Sequence, residues 1–506
     1  MAGIGFEWKS AADGFGKGRN ELEADPMSSQ FFSMFRRTSL VLVLLVSGNA
    51  ALGAGLQLHV SPASRLLTEE ASVIVGGAPP GAEITLEATM TDRGGQAWSS
   101  RGVYYASREG FVDTSKAASV SGTYRGVDGE GLFWSMLPMP AEMLTGASIA
   151  NAGTQSARRI PDFDSWNAGY DLRKVPVKVR IRARVSGALA SAVPDAVEAT
   201  QSIHFVAAGV GRIPISEEEL RGVLFVAPGE GPHPLVLVVT GSGGGAYEGV
   251  AALLASHGIT AMALAHFNYP GRPDQLINLP LEYFQGAMRW LADRYGQQRV
   301  ALFGVSRGGE GVLLIASTFP EQVSAVIAGV PSNMVFAGCC TADLQPAPAW
   351  TLNGEPLPYV PWFFNDIRPS DIWNNSQEAR DIYLRDMVAH DFDDSRWIPV
   401  ENIRAPILLV SGEADAIWPS NIASQRVLER LAAKNFAYPA HHLEYAGAGH
   451  AVNFPMLVKS LADRGESDQQ GFALSFGGTP AHNAHAQSDA FHRMIEFIRL
   501  YESEQD

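Results

Sequence analysis

Val300-Ala301-Leu302-Phe303-Gly304-Val305-Ser306-Arg307-Gly308-Gly309 is the stretch on which the fold turns. Residues 300–303 are apolar without alternation, the pattern of a strand buried on both faces. Glu310–Thr318, rich in Gly, Val, Leu and Ala, reads as a helix. Between them Ser306 occupies the centre of Gly-x-Ser-x-Gly, the arrangement of a nucleophile elbow. There the serine sits on a sharp, strained turn, and Gly304 and Gly308 let strand and helix approach without Cβ clashes. The helix N-terminus behind the serine favours developing negative charge. Alone, the pentapeptide also suits a surface glycine turn; the strand before it and the helix after it give it weight.

A serine hydroxyl needs a base, and the base needs an orienting group. In an α/β-hydrolase fold these follow in the order Ser, acid, His, each just past a strand. Pro406-Ile407-Leu408-Leu409-Val410 is such a strand, and Ser411-Gly412-Glu413-Ala414-Asp415 puts a carboxylate beyond its end. Asp415 is the expected acid and Glu413 its competitor. Leu443-Glu444-Tyr445 reads as a further strand, followed by Ala446-Gly447-Ala448-Gly449-His450. A histidine in that glycine-rich loop can swing over the nucleophile; His441, His442 and His482 are its rivals. The separation of Ser306 from Asp415 leaves room for a cap, and that of Asp415 from His450 fits one helix and one strand.

The tetrahedral intermediate of acyl transfer requires backbone N–H donors. Thr240-Gly241-Ser242-Gly243-Gly244-Gly245 follows the strand Leu235–Val239. The expected oxyanion hole is the Arg307 N–H with an N–H of Ser242, Gly243 or Gly244. The same run also suits a flexible glycine loop or a phosphate cradle, the latter disfavoured because no Gly-Lys-Ser/Thr closes it.

Around this centre the chain has two grammars. From about 56 to 208, short alternating runs such as Ser72–Val75, Glu83–Ala88 and Val177–Val185 are separated by Pro-Gly and Arg-Gly-Gly turns, which predicts an N-terminal β-sandwich domain. From about 213 to 503, all-apolar strands alternate with helix-length segments. This predicts a C-terminal α/β-hydrolase domain, a mostly parallel sheet with helices on both faces. The boundary is the stretch 209–214. The insertion at about 333–400 is too long for a plain connection and reads as a cap. Its Tyr359, Trp362, Phe363, Phe364 and Trp373 either line an apolar acyl pocket or pack the cap onto the sheet.

The 506 residues carry 38 Lys+Arg against 53 Asp+Glu, a net charge of −15. Such acidity argues against nucleic acid or anionic membrane surfaces as partners. The two cysteines are adjacent, Cys339 and Cys340, which excludes a disulfide framework and a CxxC zinc module. His482 and His485 lack carboxylates at ligand spacing, so neither a metal nor another cofactor is expected. Residues 1–55 form a leader. Within it Met34-Phe35-Arg36-Arg37, the apolar Leu40–Val46 and small residues to Gly53 have the layout of a secretory signal, about 34–53. The expectation is an exported protein whose chain starts at Met27 or Met34, the alternative being an amphiphilic arm of a cytoplasmic one. The apolar run is too short to span a bilayer, and no integral membrane domain is expected.

Several longer stretches resemble the type I acyl-CoA thioesterase and bile acid-CoA:amino acid N-acyltransferase family. They are Val75–Gly81, Ala97–Ser100, Gly122–Asp128 with Gly131–Met136, Ala263–Tyr269, Leu281–Phe284 with Ala287, Gly412–Asp415 with Trp418, Gly449-His450, and Gly477-Gly478 with Ala484–Ala490. The resemblance implies a sandwich followed by an α/β-hydrolase domain, with Ser306, Asp415 and His450 catalytic. Serine at the nucleophile accompanies thioester hydrolysis in that family, and cysteine the N-acyltransferases. Gly129-Glu130 replaces the family's usual Pro-Met, and Arg307 stands where lysine is common. The expected function is therefore a serine hydrolase releasing free acid from acyl-CoA thioesters through an acyl-enzyme. The alternatives are an exported carboxylesterase with the same triad, an N-acyltransferase, or a binding protein with a vestigial hydrolase half. The substrate is a small acyl thioester or ester; nothing in the sequence sets an oligomeric state.

Overall fold

The computed structural model describes residues 55–92, 97–139, 176–192, 195–217, 219–338, 346–361, 376–453, 465–467, 472–474 and 476–502. The expected signal at 34–53, Cys339, Cys340, Trp362, Phe363, Phe364 and Trp373 lie outside these residues.

The first half is built of two sheets. One has three antiparallel strands, with Ser72–Gly76 between Gln57–Ser61 and Val112–Asp113. The other has seven, centred on the antiparallel trio Ala97–Tyr105, Glu83–Thr91 and Val177–Ser186. Glu83–Thr91 and Val177–Ser186 place Ile84, Leu86, Ala88, Val179, Ile181 and Ala183 inside, every second residue, as a half-buried pleated sheet requires.

The second half is organised by an eight-stranded sheet. Its strands are β1 (Gly211–Ile215), β2 (Gly222–Val226), β3 (Leu235–Val239), β4 (Thr260–Leu264), β5 (Val300–Val305), β6 (Val323–Gly329), β7 (Ile407–Gly412) and β8 (Ala440–Tyr445). They lie in the order β1-β2-β4-β3-β5-β6-β7-β8, with β2 antiparallel to both its neighbours, β1 and β4, and every other neighbouring pair parallel. This is the α/β-hydrolase arrangement. The helices are α1 (Glu248–Ser256), α2 (Leu281–Tyr295), α3 (Arg307–Thr318), α4 (Ser376–Ala389), α5 (Ser420–Ala433) and α6 (Pro480–Glu502).

The unbroken apolar runs of β3 to β7 follow from burial on both faces. Val236, Val238, Ala301, Phe303, Ile327, Leu408 and Val410 enter one core, with Leu253 of α1 and Phe491 and Ile498 of α6. Leu237, Val239, Leu302, Val326 and Leu409 enter the other, with Phe284 of α2, Leu313 of α3 and Val427 of α5. The first of these cores continues into the sandwich through Val73, Ile84, Tyr104, Phe133 and Ile203, so the two halves form one compact unit.

Polar contacts reinforce that junction. Thr68 Oγ1 meets His257 Nε2 at 2.9 Å, and the Ala207 amide donates to Ser256 Oγ at 2.8 Å. Asp128 of the sandwich accepts from His485 of α6 at 2.8 Å and from Trp134 Nε1 at 2.9 Å. The hydrogen bond to Asp128 raises the His485 pKa above its ordinary 6.5. Burial pushes Asp128 up, but the bonds from His485 and Trp134 outweigh it and hold the carboxyl below 3.8.

Two predictions follow from these close contacts. The His485 contribution to stability is complete below its unfolded pKa of about 6.5 and is lost as pH rises through the raised folded value. Asp128 contributes above about 3.8, and its share is lost on acidification. His485→Gln keeps a neutral hydrogen bond, so the difference in melting temperature between wild type and variant should be largest between these limits and shrink toward alkaline pH. Separately, a Cβ at Gly308 would lie 2.6 Å from the carbonyl oxygens of both Val239 and Thr240. Gly308→Ala should therefore cost about 1–3 kcal/mol through overpacking, read as a lowered denaturant midpoint.

Candidate active site

Ser306 terminates β5 and caps α3 with φ 60° and ψ −122°, a conformation L residues rarely adopt. Packing imposes it. A Cβ at Gly304 would sit 2.1 Å from Gly308 O, and one at Gly309 2.5 Å from Gly329 O, so strand, turn and helix meet backbone to backbone. The Ser306 amide donates to Gly329 O at 2.8 Å, tying the elbow to the end of β6. Arg307 is the first residue of α3, whose leading amides have no partner within the helix.

Past β7, Asp415 is 1% exposed and His450, in the loop after β8, 7%. His450 Nδ1 and Asp415 Oδ2 lie 2.8 Å apart. The same carboxylate accepts from Ser420 Oγ at 2.5 Å and from the amides of Ile417 and Trp418 at 2.9 and 3.3 Å. The His450 loop is braced from α6 and the turn before it: His450 N donates to Phe476 O at 2.7 Å, and Gly449 N to Asn483 Oδ1 at 2.7 Å. Phe476 stacks on the imidazole at 6.0 Å, while Trp418 presents a T-shaped contact at 6.3 Å. The Trp418 Nε1 donates to Val330 O, and the Val330 amide to Val410 O, so the ends of β6 and β7 are joined beside the elbow. Val330, with φ 39°, is a strained β-branched residue at that junction.

The rivals are engaged elsewhere. Glu413 Oε2 accepts from the Gly447 amide, His442 pairs with Ser411 Oγ at 2.7 Å, and His482 with Thr479 Oγ1 at 2.8 Å. His441 is exposed on β8.

The Thr240–Gly245 loop lies against the elbow, since a Cβ at Gly241 would be 3.3 Å from Ser306 Cβ. Its amides divide their work. Gly241 N donates to Tyr247 Oη at 3.1 Å, Gly244 N to Gly241 O at 3.1 Å and Gly245 N to Phe267 O at 3.0 Å. The Gly244 amide, one of the three expected donors, thus closes the turn onto Gly241. Gly243 faces open space, and its carbonyl is held by Asn268 Nδ2 at 2.9 Å. Asn268, at φ 48°, thus touches this loop, and Tyr269–Arg272 forms a turn, with Gly271 at φ 77°.

Several functional contacts were not visible as motifs. The Arg307 guanidinium is buried, donating to Glu310 Oε2 at 2.6 Å and to the carbonyls of Phe336 and Ala337 at 2.9 and 3.1 Å. Glu310 also accepts from Trp350 Nε1 at 2.9 Å. Burial pushes its carboxyl up to about 7, against the pull of Arg307. The i, i+3 spacing of Arg307 and Glu310 on one helix face was a usable signal; their partners in the insertion had none. Of the insertion's aromatics within the described residues, Tyr359 packs against the sheet core.

Residues 279–501 match the family model described as BAAT / Acyl-CoA thioester hydrolase C terminal, and residues 68–156 that of the Acyl-CoA thioester hydrolase/BAAT N-terminal region. The chain is 27% identical to acyl-coenzyme A thioesterase 6 of Mus musculus over 453 residues, 88% of this chain and 96% of that protein. It is 29% identical to the bile acid-CoA:amino acid N-acyltransferase of Mus musculus over 447 residues, 88% and 97% of the two chains. A solved hormone-sensitive lipase from a metagenome library is similar at a TM-score of 0.36 and 13% identity, covering 59% of this chain and 87% of that one. Carrying both the N-terminal and the C-terminal domain in their proper order, the chain belongs to the acyl-CoA thioesterase/BAAT family of α/β-hydrolase enzymes.

Proposed function

We propose that the protein is a serine thioesterase that hydrolyses acyl-CoA thioesters to free acid and CoA. The observation that carries this reading is the buried Asp415–His450 pair at 2.8 Å, placed at the same end of the sheet as the strained Ser306 elbow. With Nδ1–H given to Asp415, the imidazole offers Nε2 as base. It takes the Ser306 proton as Oγ attacks the acyl carbon, and the Arg307 and Gly243 amides receive the oxyanion. His450 then protonates the departing thiolate. In the second half-reaction it activates water, which releases the acid and restores Ser306. Asp415, held by Ser420, Ile417 and Trp418, orients the ring.

Serine rather than cysteine at the elbow favours water over an amine acceptor. An alkoxide leaves the acyl-enzyme less readily than a thiolate, so an amine gains less advantage. The basic and apolar segment 34–53 supports export as part of a second reading, in which the same groups act on carboxylic esters.

Ser306→Ala should lower acyl-CoA hydrolysis by at least about 10³-fold with an unchanged melting temperature. Undiminished release of CoA by that variant would remove the mechanism. With glycine present, wild type should yield free acid, and Ser306→Cys should shift product toward the N-acyl amide, both read by mass spectrometry. Hydrolysis of nitrophenyl esters in preference to acyl-CoA across graded chain lengths would favour the second reading.

A further inference from the structure

Helix α4 belongs to the insertion, yet one of its side chains reaches the acid. Arg380 Nη1 donates to the backbone carbonyl of Asp415 at 2.7 Å, and Nη2 to Asn421 Oδ1 at 3.0 Å. Asn421 is fixed in turn, donating from Nδ2 to Glu444 Oε1 at 3.0 Å. The fork therefore closes the two ends of the turn 415–421. That same turn supplies the Ile417 and Trp418 amides and the Ser420 hydroxyl that hold the Asp415 carboxylate. A planar guanidinium meets two divergent acceptors at once; a lysine ammonium, a point donor, satisfies one well.

A second contact from the same helix reaches the indole that lies beside His450. Tyr383 lies in a T-shaped contact 5.5 Å from Trp418 and 5.2 Å from Phe336, and Trp418 lies 6.3 Å from His450. One helix of the insertion thus touches the turn behind the carboxylate and the ring beside the imidazole.

Resting on the reading of Ser306, Asp415 and His450 as the triad, we propose that Arg380 is a positioning residue. It holds the 415–421 turn so that Oδ2 stays aligned with His450 Nδ1, and the reactivity of Ser306 depends on α4 being docked. Arg380 touches no reacting atom; its effect passes through Asp415.

The full-length chain serves for the test, with two readouts: the rate at which a fluorophosphonate labels Ser306, and kcat and KM for a long-chain acyl-CoA. Arg380→Met should lower the labelling rate and kcat roughly ten- to a hundredfold, with KM little changed. Arg380→Lys should recover part of that loss, and Asn421→Ala should show a smaller loss of the same sign. In an Asp415→Asn background, Arg380→Met should cause no further loss, because the group it positions has gone. Wild-type labelling and kcat in Arg380→Met overturn the proposal, as does an undiminished further loss on Asp415→Asn. Should Arg380→Met fail to fold, wild-type rates in both Arg380→Lys and Asn421→Ala overturn it equally. Labelling that persists in Ser306→Ala instead removes the triad reading itself.

Discussion

Three glycines around one serine impose a steric constraint on which the catalytic half depends. At Gly304, Gly308 and Gly309 the chain passes within 2.1 to 2.6 Å of where a Cβ would meet another peptide oxygen. Strand β5, helix α3 and the ends of β3 and β6 approach this closely only because these residues lack side chains. Ser306, at the crossing just past β5, sits at a positive φ of 60°, a conformation costly for a residue with a side chain.

Everything placed around that point is held from farther away. The His450 loop is bonded to Phe476 and Asn483, at the entry to α6, and α6 in turn is joined to the sandwich through His485 and Asp128. The sandwich is thereby joined through α6 to the His450 loop. A core running through both halves gives this connection most of its free energy, since each fully buried Val, Leu, Ile or Phe side chain contributes on the order of 1.5–3 kcal/mol.

The insertion is attached in the same spirit. Arg307 and Glu310 fasten the carbonyls of Phe336 and Ala337 and the indole of Trp350 to α3. Such a buried pair is costly to break, because either partner alone would be an uncompensated charge. The side chain of the residue following Ser306 therefore anchors the insertion to α3.

The amino-acid sequence by itself determined the two halves, the doubly buried strands of the large sheet and the elbow, because periodicity and the need for a missing Cβ are written in consecutive residues. It also singled out Asp415 and His450, since chain order restricts an acid and a base to the ends of two late strands. What only the tertiary structure decided are pairings between distant positions. Gly244 loses its amide to Gly241, Glu413 is turned toward Gly447, and His442 is spent on Ser411. Arg380 finds Asp415, and His485 finds Asp128, across stretches of chain with no shared local pattern. A hydrogen bond depends on direction and on tenths of an ångström, and these are set by how whole elements pack rather than by any residue's neighbours in sequence.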